Sequence, residues 1–256
     1  MRCPMKVVFE RPRTLLKKPF TYCPGCHHGL AQRLIAEVID ELGIGEVTIG
    51  VGPIGCSVYI YEFFDLDFVM GGHGRAQAVA TGIKRALPDR IVFSYQGDGD
   101  IGAIGTAEAI HVANRGELIT SFFVNNAVFG MTGGQMAPTT LLGQKTRTSP
   151  LGRDARMHGF PFRLAEILKV AEGSAYIARV ALTQPRFVRQ ARACIKKAFL
   201  TQIEKKGFSL VEILSPCPTN WGMEPEQAVR WLEEKMIPYF PLGEIKVKEG
   251  NFDETS

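Results

Sequence analysis

Apolar and polar positions follow two periods along this chain, one typical of helices and one typical of buried strands. Helical patterns predict helices over residues 30–42, 73–86, 103–114, 162–171, 185–203 and 225–236. Short apolar runs predict strands over residues 46–51, 90–95, 118–124, 175–181 and 208–214. Because strands and helices alternate, the pattern indicates an α/β protein built on a doubly wound, mostly parallel sheet.

The segment of residues 90–135 contains a strand, a glycine-rich break, a helix and a second strand, followed by a polar turn. In its helix the apolar positions at helical spacing are Ala107, Ile110 and Ala113. Gly116 is placed to cap the carboxyl end of that helix. A strand–helix–strand unit of this size gives parallel strands with a right-handed crossover. Asp98 and Asn126 therefore follow neighbouring strands at one sheet edge, where open α/β sheets bind ligands.

The residues at this edge suit a divalent cation that holds a diphosphate group. Asp98 offers a carboxylate oxygen and Asn126 an amide oxygen, and Mg²⁺ usually takes one or two carboxylates together with phosphate oxygens. The flanking glycines let backbone N–H groups approach an anion at a helix start. Two other interpretations stay open here. The run GDGDIG also matches a dinucleotide-binding fingerprint with Glu117 near the ribose position, and it also fits a plain tight turn.

The composition is that of one large globular domain. The chain has 256 residues, 45% of them hydrophobic, and a formal net charge of +4 spread along the sequence, which argues for neither a nucleic-acid nor a membrane partner. Its apolar runs are strand-length, and residues 1–20 lack the apolar core of a secretory signal. We expect a cytoplasmic protein with an extended arm at 1–20, an α/β domain at 21–237 and a Pro/Gly-rich surface tail at 238–256.

Four of the six cysteines lie in turns flanked by proline or glycine, namely Cys23, Cys26, Cys56 and Cys217. Without a secretion signal, metal ligation is favoured over disulfides. Four thiolates are the usual ligands of a [4Fe–4S] cluster and also of structural Zn²⁺. Cys3 and Cys194 lack such surroundings, and Cys194 is expected in the core. The polar stretch of residues 130–159 is expected to wrap a ligand or a partner chain.

Six motifs stand in order along nearly the whole chain: CPGC at 23–26, IGCS at 54–57, HGRA at 73–76, GDGD at 97–100, NNAVFGMTGGQMAPTT at 125–140, and CPTNW around Cys217. In this order they resemble the β subunit of 2-oxoacid:ferredoxin oxidoreductases. The sequence resembles most the type that acts on 2-oxoglutarate or 2-oxoisovalerate. The resemblance implies a thiamine diphosphate-binding fold, of which this chain carries the diphosphate-binding half. One departure is His27, which stands where the family commonly has glycine.

The resemblance also assigns ligands to residues of this chain. It implies a [4Fe–4S] cluster held by Cys23, Cys26, Cys56 and Cys217. It implies Mg²⁺ held by Asp98, Asn126 and the backbone carbonyl of Val128. Contacts to thiamine diphosphate are implied for Ile54, Gly55, Cys56, Ser57, His73, Gly74, Arg75, Gly99, Asp100, Gly130 and Met131. The glutamate that activates the cofactor is expected on a partner chain, so no side chain here is implied to be catalytic.

The same resemblance implies a reaction and partners. The reaction is the coenzyme A-dependent oxidative decarboxylation of a 2-oxoacid to acyl-CoA and CO₂, with ferredoxin reduced through the cluster. The expected partners are an α subunit with the pyrimidine-binding domain, further γ and δ subunits, and ferredoxin. Two alternatives remain. A non-redox thiamine diphosphate-dependent decarboxylase subunit would need no set of four cysteines, and an iron–sulfur electron carrier would need no thiamine site.

Overall fold

A seven-stranded sheet forms the centre of the protein in the computed structural model, which describes residues 10–248. Six of its strands run parallel, and the seventh, at one edge, is antiparallel. The strands in chain order, with the separate hairpin β5–β6, are β1 Thr48–Gly52, β2 Asp67–Met70, β3 Ile91–Gly97, β4 Thr120–Asn125, β5 Val128–Phe129, β6 Gln135–Met136, β7 Ser174–Ala181, β8 Phe208–Leu214 and β9 Gly243–Val247. Their order across the sheet is β2-β1-β3-β4-β8-β7-β9.

Helices cover both faces of this sheet. They are α1 His28–Leu42, α2 Ala76–Ala86, α3 Thr106–Arg115, α4 Ala155–His158, α5 Leu164–Lys169, α6 Pro185–Ile203, α7 Pro218–Trp221, α8 Pro225–Trp231 and α9 Ile237–Tyr239. Shorter 3₁₀ or π turns lie at Gly45–Val47, Cys56–Glu62, Asp100–Ile104 and Leu232–Met236. Residues of α1 and α6 pack on one face with Phe93, and residues of α2, α3 and α5 pack on the other with Val92. The doubly wound, mostly parallel α/β fold is therefore confirmed.

The helix after β3 differs from its prediction in start and in buried face. The chain passes from β3 into helical turns at Asp98, without a separate glycine-rich turn. The side chains of Ala109, Val112 and Ala113 meet the core, because they lie three and four positions apart. The predicted face is wrong for two of its three residues, since Ala107 and Ile110 are exposed. The predicted cap is confirmed, because Gly116 adopts φ 64° and donates to the carbonyls of α3.

Part of the expected surface tail is a strand at the sheet edge, and residues 241–247 are half-buried or exposed. Phe240 is fully buried, and β9 pairs with β7, with Tyr176 opposite Val247. An edge strand of five residues with polar positions gives little periodic signal, which explains why the sequence pattern did not indicate it. Residues 249–256 and the start of the expected arm, including Cys3, lie outside the described residues. Within the arm, Leu15 is buried and forms an isolated bridge to Phe64.

Among residues 10–248, no helix combines the length and apolar character needed to cross a membrane.

Candidate functional site

A cleft opens at the carboxyl ends of β1, β3 and β4. The three strands are parallel neighbours, so the segments that follow them emerge at one edge of the sheet. Gly97 pairs with Val124 at the ends of β3 and β4, which brings Asp98 beside the turn after β4. The sequence-predicted residues that line the cleft are Ile54, Gly55, Cys56, Ser57, His73, Asp98, Gly99, Asp100, Asn126, Val128, Gly130 and Met131.

Two of the predicted ligand contacts do not line the cleft. Gly74 contributes through its backbone, because its N–H donates to Asp100 Oδ1 at 2.8 Å. Arg75 is exposed, and its guanidinium pairs with Glu108. The thiamine diphosphate contact that the resemblance implies for Arg75 stays a prediction.

Four residues that sequence reasoning missed also line the cleft: His28, Gly97, Phe129 and Thr132. A fifth missed residue, Thr139, is fully buried and donates its hydroxyl to Asp98 Oδ2 at 2.6 Å. Thr139 comes from the polar stretch after β6, and no local pattern marks it. The predicted ligand role of that stretch could have directed attention to its hydroxyl groups.

Asp98 is a buried carboxylate held by uncharged donors. Its Oδ1 accepts the backbone N–H of Gly99 at 2.8 Å, while Thr139 binds the other oxygen. Burial raises the pKa of Asp98 to about 7, although these hydrogen bonds and backbone N–H groups of residues 126 and 127 act in the opposite direction. A buried carboxylate with so high a pKa is a strong candidate for a cation ligand, because a bound cation favours its ionised form.

The turn after β4 is bent sharply around a left-handed alanine. Ala127 has φ 58°, a conformation that costs a residue with a Cβ about 1–2 kcal/mol. The side chain of Asn125 accepts the N–H of Ala127, and the side chain of Asn126 accepts the N–H of Val128, each at 3.2 Å. Trp221 Nε1 donates to the carbonyl of Asn126 at 3.1 Å. These bonds hold the turn beside Asp98.

A second buried carboxylate, Asp100, organises the wall opposite this turn. It begins a π turn, a local irregularity frequent at functional sites. Its side chain contacts His73 Nδ1 and the side-chain amide of Gln96, both at 2.5 Å. The second ring nitrogen of His73 therefore faces away from Asp100. Gly99 must lack a side chain, because a Cβ there would come within 2.2 Å of the Phe129 ring.

The four predicted cluster cysteines gather next to the cleft. The N–H of Cys26 donates to the carbonyl of Cys23 at 3.1 Å, and the turn between them needs glycine, since Gly25 has φ 79° and a Cβ would lie 2.7 Å from Pro225. Cys56 Sγ lies 3.3 Å from the Cβ position of Gly130. Asn220 Nδ2 donates to the Gly130 carbonyl at 2.9 Å and to Cys217 Sγ at 3.3 Å.

The electrostatics of these thiols follow from their burial and their closeness. The pKa of Cys26 is raised to about 12 and that of Cys56 to about 11, mainly by burial and in smaller part by the other cysteines of the set. The pKa of Cys217 is also raised, mainly by burial. In residues 10–248, no group of three or more His, Cys, Asp or Glu side chains is arranged around a single metal ion. A four-iron cluster needs a wider spacing of thiolates than one ion does.

His27 fits the cysteine turn in spite of its Cβ. Its φ is −88°, so the backbone there does not need glycine. Its N–H donates to Ser215 Oγ at 3.3 Å, while its ring atom Nδ1 is buried and has no hydrogen-bond partner among the described residues. Burial lowers the pKa of His27 to about 4, which favours a neutral imidazole next to the thiols.

The comparisons with known proteins agree with this geometry. Residues 45–213 match the family model described as thiamine pyrophosphate enzyme, C-terminal TPP binding domain. The "Ketoisovalerate oxidoreductase subunit VorA" of Methanothermobacter thermautotrophicus is 49% identical over 235 residues, which cover 92% of this chain and 49% of that relative. The "2-oxoglutarate synthase subunit KorB" of Archaeoglobus fulgidus is 39% identical over 216 residues, which cover 84% of this chain and 76% of that relative.

A solved 2-oxoglutarate:ferredoxin oxidoreductase from Magnetococcus marinus, with 2-oxoglutarate, coenzyme A and succinyl-CoA bound, superimposes with a TM-score of 0.80. It is 26% identical, and the match covers 96% of this chain and 87% of that one. The fold and the matched model together define a thiamine pyrophosphate-binding domain. Within that class, the chain belongs to the subunits of the 2-oxoacid:ferredoxin oxidoreductase family. It spans about half the length of its VorA relative.

The dinucleotide interpretation of GDGDIG is wrong. Glu117, its candidate ribose ligand, precedes the amino end of β4 and pairs with Arg85 and Arg115. The cleft lies at the opposite, carboxyl end of that strand.

Arg153 organises the stretch that supplies Thr139. Its guanidinium is buried and donates to two groups of carbonyls, those of Ala137, Pro138 and Thr140 and those of His158, Gly159 and Phe160. The planar fork of arginine reaches both groups at once, which a lysine ammonium does not. Arg153→Lys should therefore leave buried carbonyls unpaired and loosen residues 137–160. The free energy of unfolding should fall by about 1–3 kcal/mol for each buried carbonyl that loses its partner.

Limited proteolysis with chymotrypsin measures this loosening, because Leu151 and Met157 are 96% and 80% exposed and neither is followed by proline. Cleavage at these two positions should be faster in Arg153→Lys than in the unmodified protein. Arg156→Lys, an exposed change in the same stretch, is the matched control. Equal cleavage rates for both variants would contradict the role of Arg153.

Proposed function

We propose that this chain is the thiamine diphosphate-binding subunit of a coenzyme A-dependent 2-oxoacid:ferredoxin oxidoreductase. The observation that carries the proposal is the meeting, at one sheet edge, of Asp98, the turn of residues 126–128 and the three turns that carry four cysteines. The reaction converts a 2-oxoacid and coenzyme A to an acyl-CoA and CO₂ and passes two electrons to ferredoxin. The names of the relatives favour 2-oxoglutarate or 2-oxoisovalerate as the substrate.

The donor set of the cleft fits a magnesium diphosphate. Asp98, Asn126 and the carbonyl of Val128 would hold Mg²⁺, because together they supply one carboxylate and two neutral oxygens and leave positions for phosphate oxygens. Ser57 Oγ is buried in the cleft wall and has no partner in the described residues. A buried hydroxyl without a partner is costly, and a phosphate oxygen would satisfy it.

The donor set of the cysteine turns fits an iron–sulfur cluster. Cys23, Cys26, Cys56 and Cys217 would be its ligands. Burial and neighbouring cysteines raise the pKa values of Cys26, Cys56 and Cys217, and bound iron would favour their thiolate forms. When bound, thiamine diphosphate supplies the carbon nucleophile for decarboxylation, and the cluster accepts electrons singly. The chain itself binds and orients both groups and keeps them close together.

The cleft supports the need for a partner chain. It encloses about 80 Å³, enough for a few water-sized groups and too little for a whole cofactor. No glutamate lines it among the described residues. We infer that an α subunit with the pyrimidine-binding domain closes the other side and supplies the activating glutamate. Ferredoxin, with or without γ and δ subunits, would then carry the electrons away.

The two alternative functions each leave part of the site without a purpose. A non-redox decarboxylase subunit has no use for four cysteines in three converging turns. An iron–sulfur carrier has no use for the buried carboxylate Asp98 or for the orphaned hydroxyl of Ser57.

Asp98→Asn tests the magnesium site. The change keeps the size of the side chain and removes its charge, so Mg²⁺ and thiamine diphosphate should bind about tenfold or more weakly. The measurement is thiamine diphosphate per chain after desalting, with iron content and visible absorbance as the internal control. Exposed Asp89→Asn controls for loss of charge. A thiamine content equal to wild type would contradict the assignment.

Cys217→Ser tests the cluster. Replacing one of four thiolates by a poorer ligand should lower iron and acid-labile sulfide per chain and bleach the visible absorbance of anaerobically purified protein. Cys194→Ala is the matched control, because Cys194 is buried among core residues and its loss should leave iron unchanged. Full iron in Cys217→Ser, or zinc in place of iron in wild type, would rule out the redox role.

The partner requirement is tested by assaying the chain alone and with its α subunit, using a panel of 2-oxoacids, coenzyme A and an electron acceptor. We expect turnover only with the complete assembly, because the activating glutamate comes from the partner. The panel also ranks 2-oxoglutarate against 2-oxoisovalerate. Robust turnover by the isolated chain would show that the partner is unnecessary.

A further inference from the structure

A buried ionic network lies behind the turn of residues 125–128. Arg179 on β7 and Glu212 on β8 are both 1% exposed, and Arg179 Nε donates to Glu212 Oε2 at 2.7 Å. The other two nitrogens of Arg179 bind Glu166 at 2.9 and 2.6 Å. Such a network seldom improves stability over apolar residues of similar size. Its presence next to the site therefore calls for a role other than packing.

The network reaches the turn through Asn125. Asn125 Nδ2 donates to Glu212 Oε1 at 2.7 Å. An ionised carboxylate only accepts hydrogen bonds, so the amide nitrogen of Asn125 must face Glu212 and the amide oxygen must face away. That oxygen accepts the N–H of Ala127 at 3.2 Å, at the one residue of the turn with a left-handed backbone.

We infer that Glu212, paired with Arg179, is a positioning residue for the cation site. It fixes the orientation of the Asn125 amide, which holds Ala127 left-handed and so directs the Asn126 side chain and the Val128 carbonyl toward the cation. The inference rests on the proposed function for the identity of that cation and its diphosphate.

Other bonds keep the turn attached when this one is lost. The Ala127 carbonyl accepts Thr140 Oγ1 at 2.6 Å, and the Asn126 carbonyl accepts Trp221 Nε1. A variant at position 212 is therefore expected to fold, with a turn that is misaligned and not detached.

Glu212→Gln is the sharpest test, because it preserves the shape of the side chain at position 212 and reverses the direction of its hydrogen bond with Asn125. Arg179 requires an acceptor, so the new amide oxygen faces Arg179 and the new amide nitrogen faces Asn125. Asn125 must then rotate and present its own nitrogen to the N–H of Ala127, where two donors repel. The dissociation constant of Mg²⁺, titrated into metal-depleted assembly with thiamine diphosphate present, should rise about tenfold or more, with iron content unchanged.

A compensating change distinguishes positioning from general stability. Asn125→Asp in the Glu212→Gln background supplies a carboxylate that accepts from both the new amide and Ala127, and it restores the net charge. The double variant should regain most of the wild-type affinity for Mg²⁺. Asn125→Asp alone should weaken binding, because it faces Glu212 with a second carboxylate. The two changes should thus be strongly non-additive.

Glu166→Gln is the control, since it removes a charge partner of Arg179 without touching Asn125. It should lower thermal stability and leave the affinity for Mg²⁺ near wild type. The inference is overturned if Glu212→Gln binds Mg²⁺ like wild type, if Glu166→Gln weakens binding as much, or if the double variant shows no recovery. If wild type itself fails to bind Mg²⁺ and thiamine diphosphate, the proposed function falls, and this inference falls with it.

Discussion

The parallel pairing of β3 with β4 is the constraint on which the site depends. Gly97 lies opposite Val124, so β3 and β4 end at nearly the same position along the strand direction. Asp98 enters a helix while residues 125–128 turn back over the sheet edge. A register shift of one residue would direct Asp98 to the other face of the sheet, away from that turn. The buried contacts of β4 with β8 fix this register further, since Asn125 lies opposite Leu214.

Buried ionisable groups at this edge of the sheet fall into two classes, those with a cationic partner inside the chain and those with uncharged partners. Glu212 has its cationic partner inside the chain, because it pairs with Arg179. It therefore requires no bound cation. Asp98 is held by a hydroxyl and by backbone N–H groups, and Cys26, Cys56 and Cys217 stand near one another with raised pKa values. Cations from outside the chain would favour the ionised forms of these groups, which is the electrostatic reason for proposing magnesium and iron at these two places.

Local pattern in the sequence was enough for five of the seven strands of the sheet, with β2 and β9 missed, and for the residues that directly follow β3 and β4. The bounds of α6 and β8 agree with their predictions, and Asp98 and Asn126 meet because parallel strands end at one edge. Thr139, Phe129 and Arg153 were beyond such reasoning, because their contacts depend on how a long stretch returns over the sheet. The face of α3 was mispredicted at Ala107 and Ile110, since alanine-rich helices have weak apolar contrast. The pairing of β9 with β7 was missed because β7 lies far from β9 in the sequence.

The short segment from Cys217 to Trp221 joins the two proposed sites into one unit. Cys217 belongs to the cysteine set, and Asn220 connects its sulfur with the carbonyl of Gly130 in the cleft wall. Trp221 binds the carbonyl of Asn126 in the cation turn. Because one helical turn contacts both sites, their separation is fixed by covalent geometry. Electron transfer between bound groups depends steeply on distance, so this connection is what a redox use of the cleft requires, and a zinc or purely structural use would not require it.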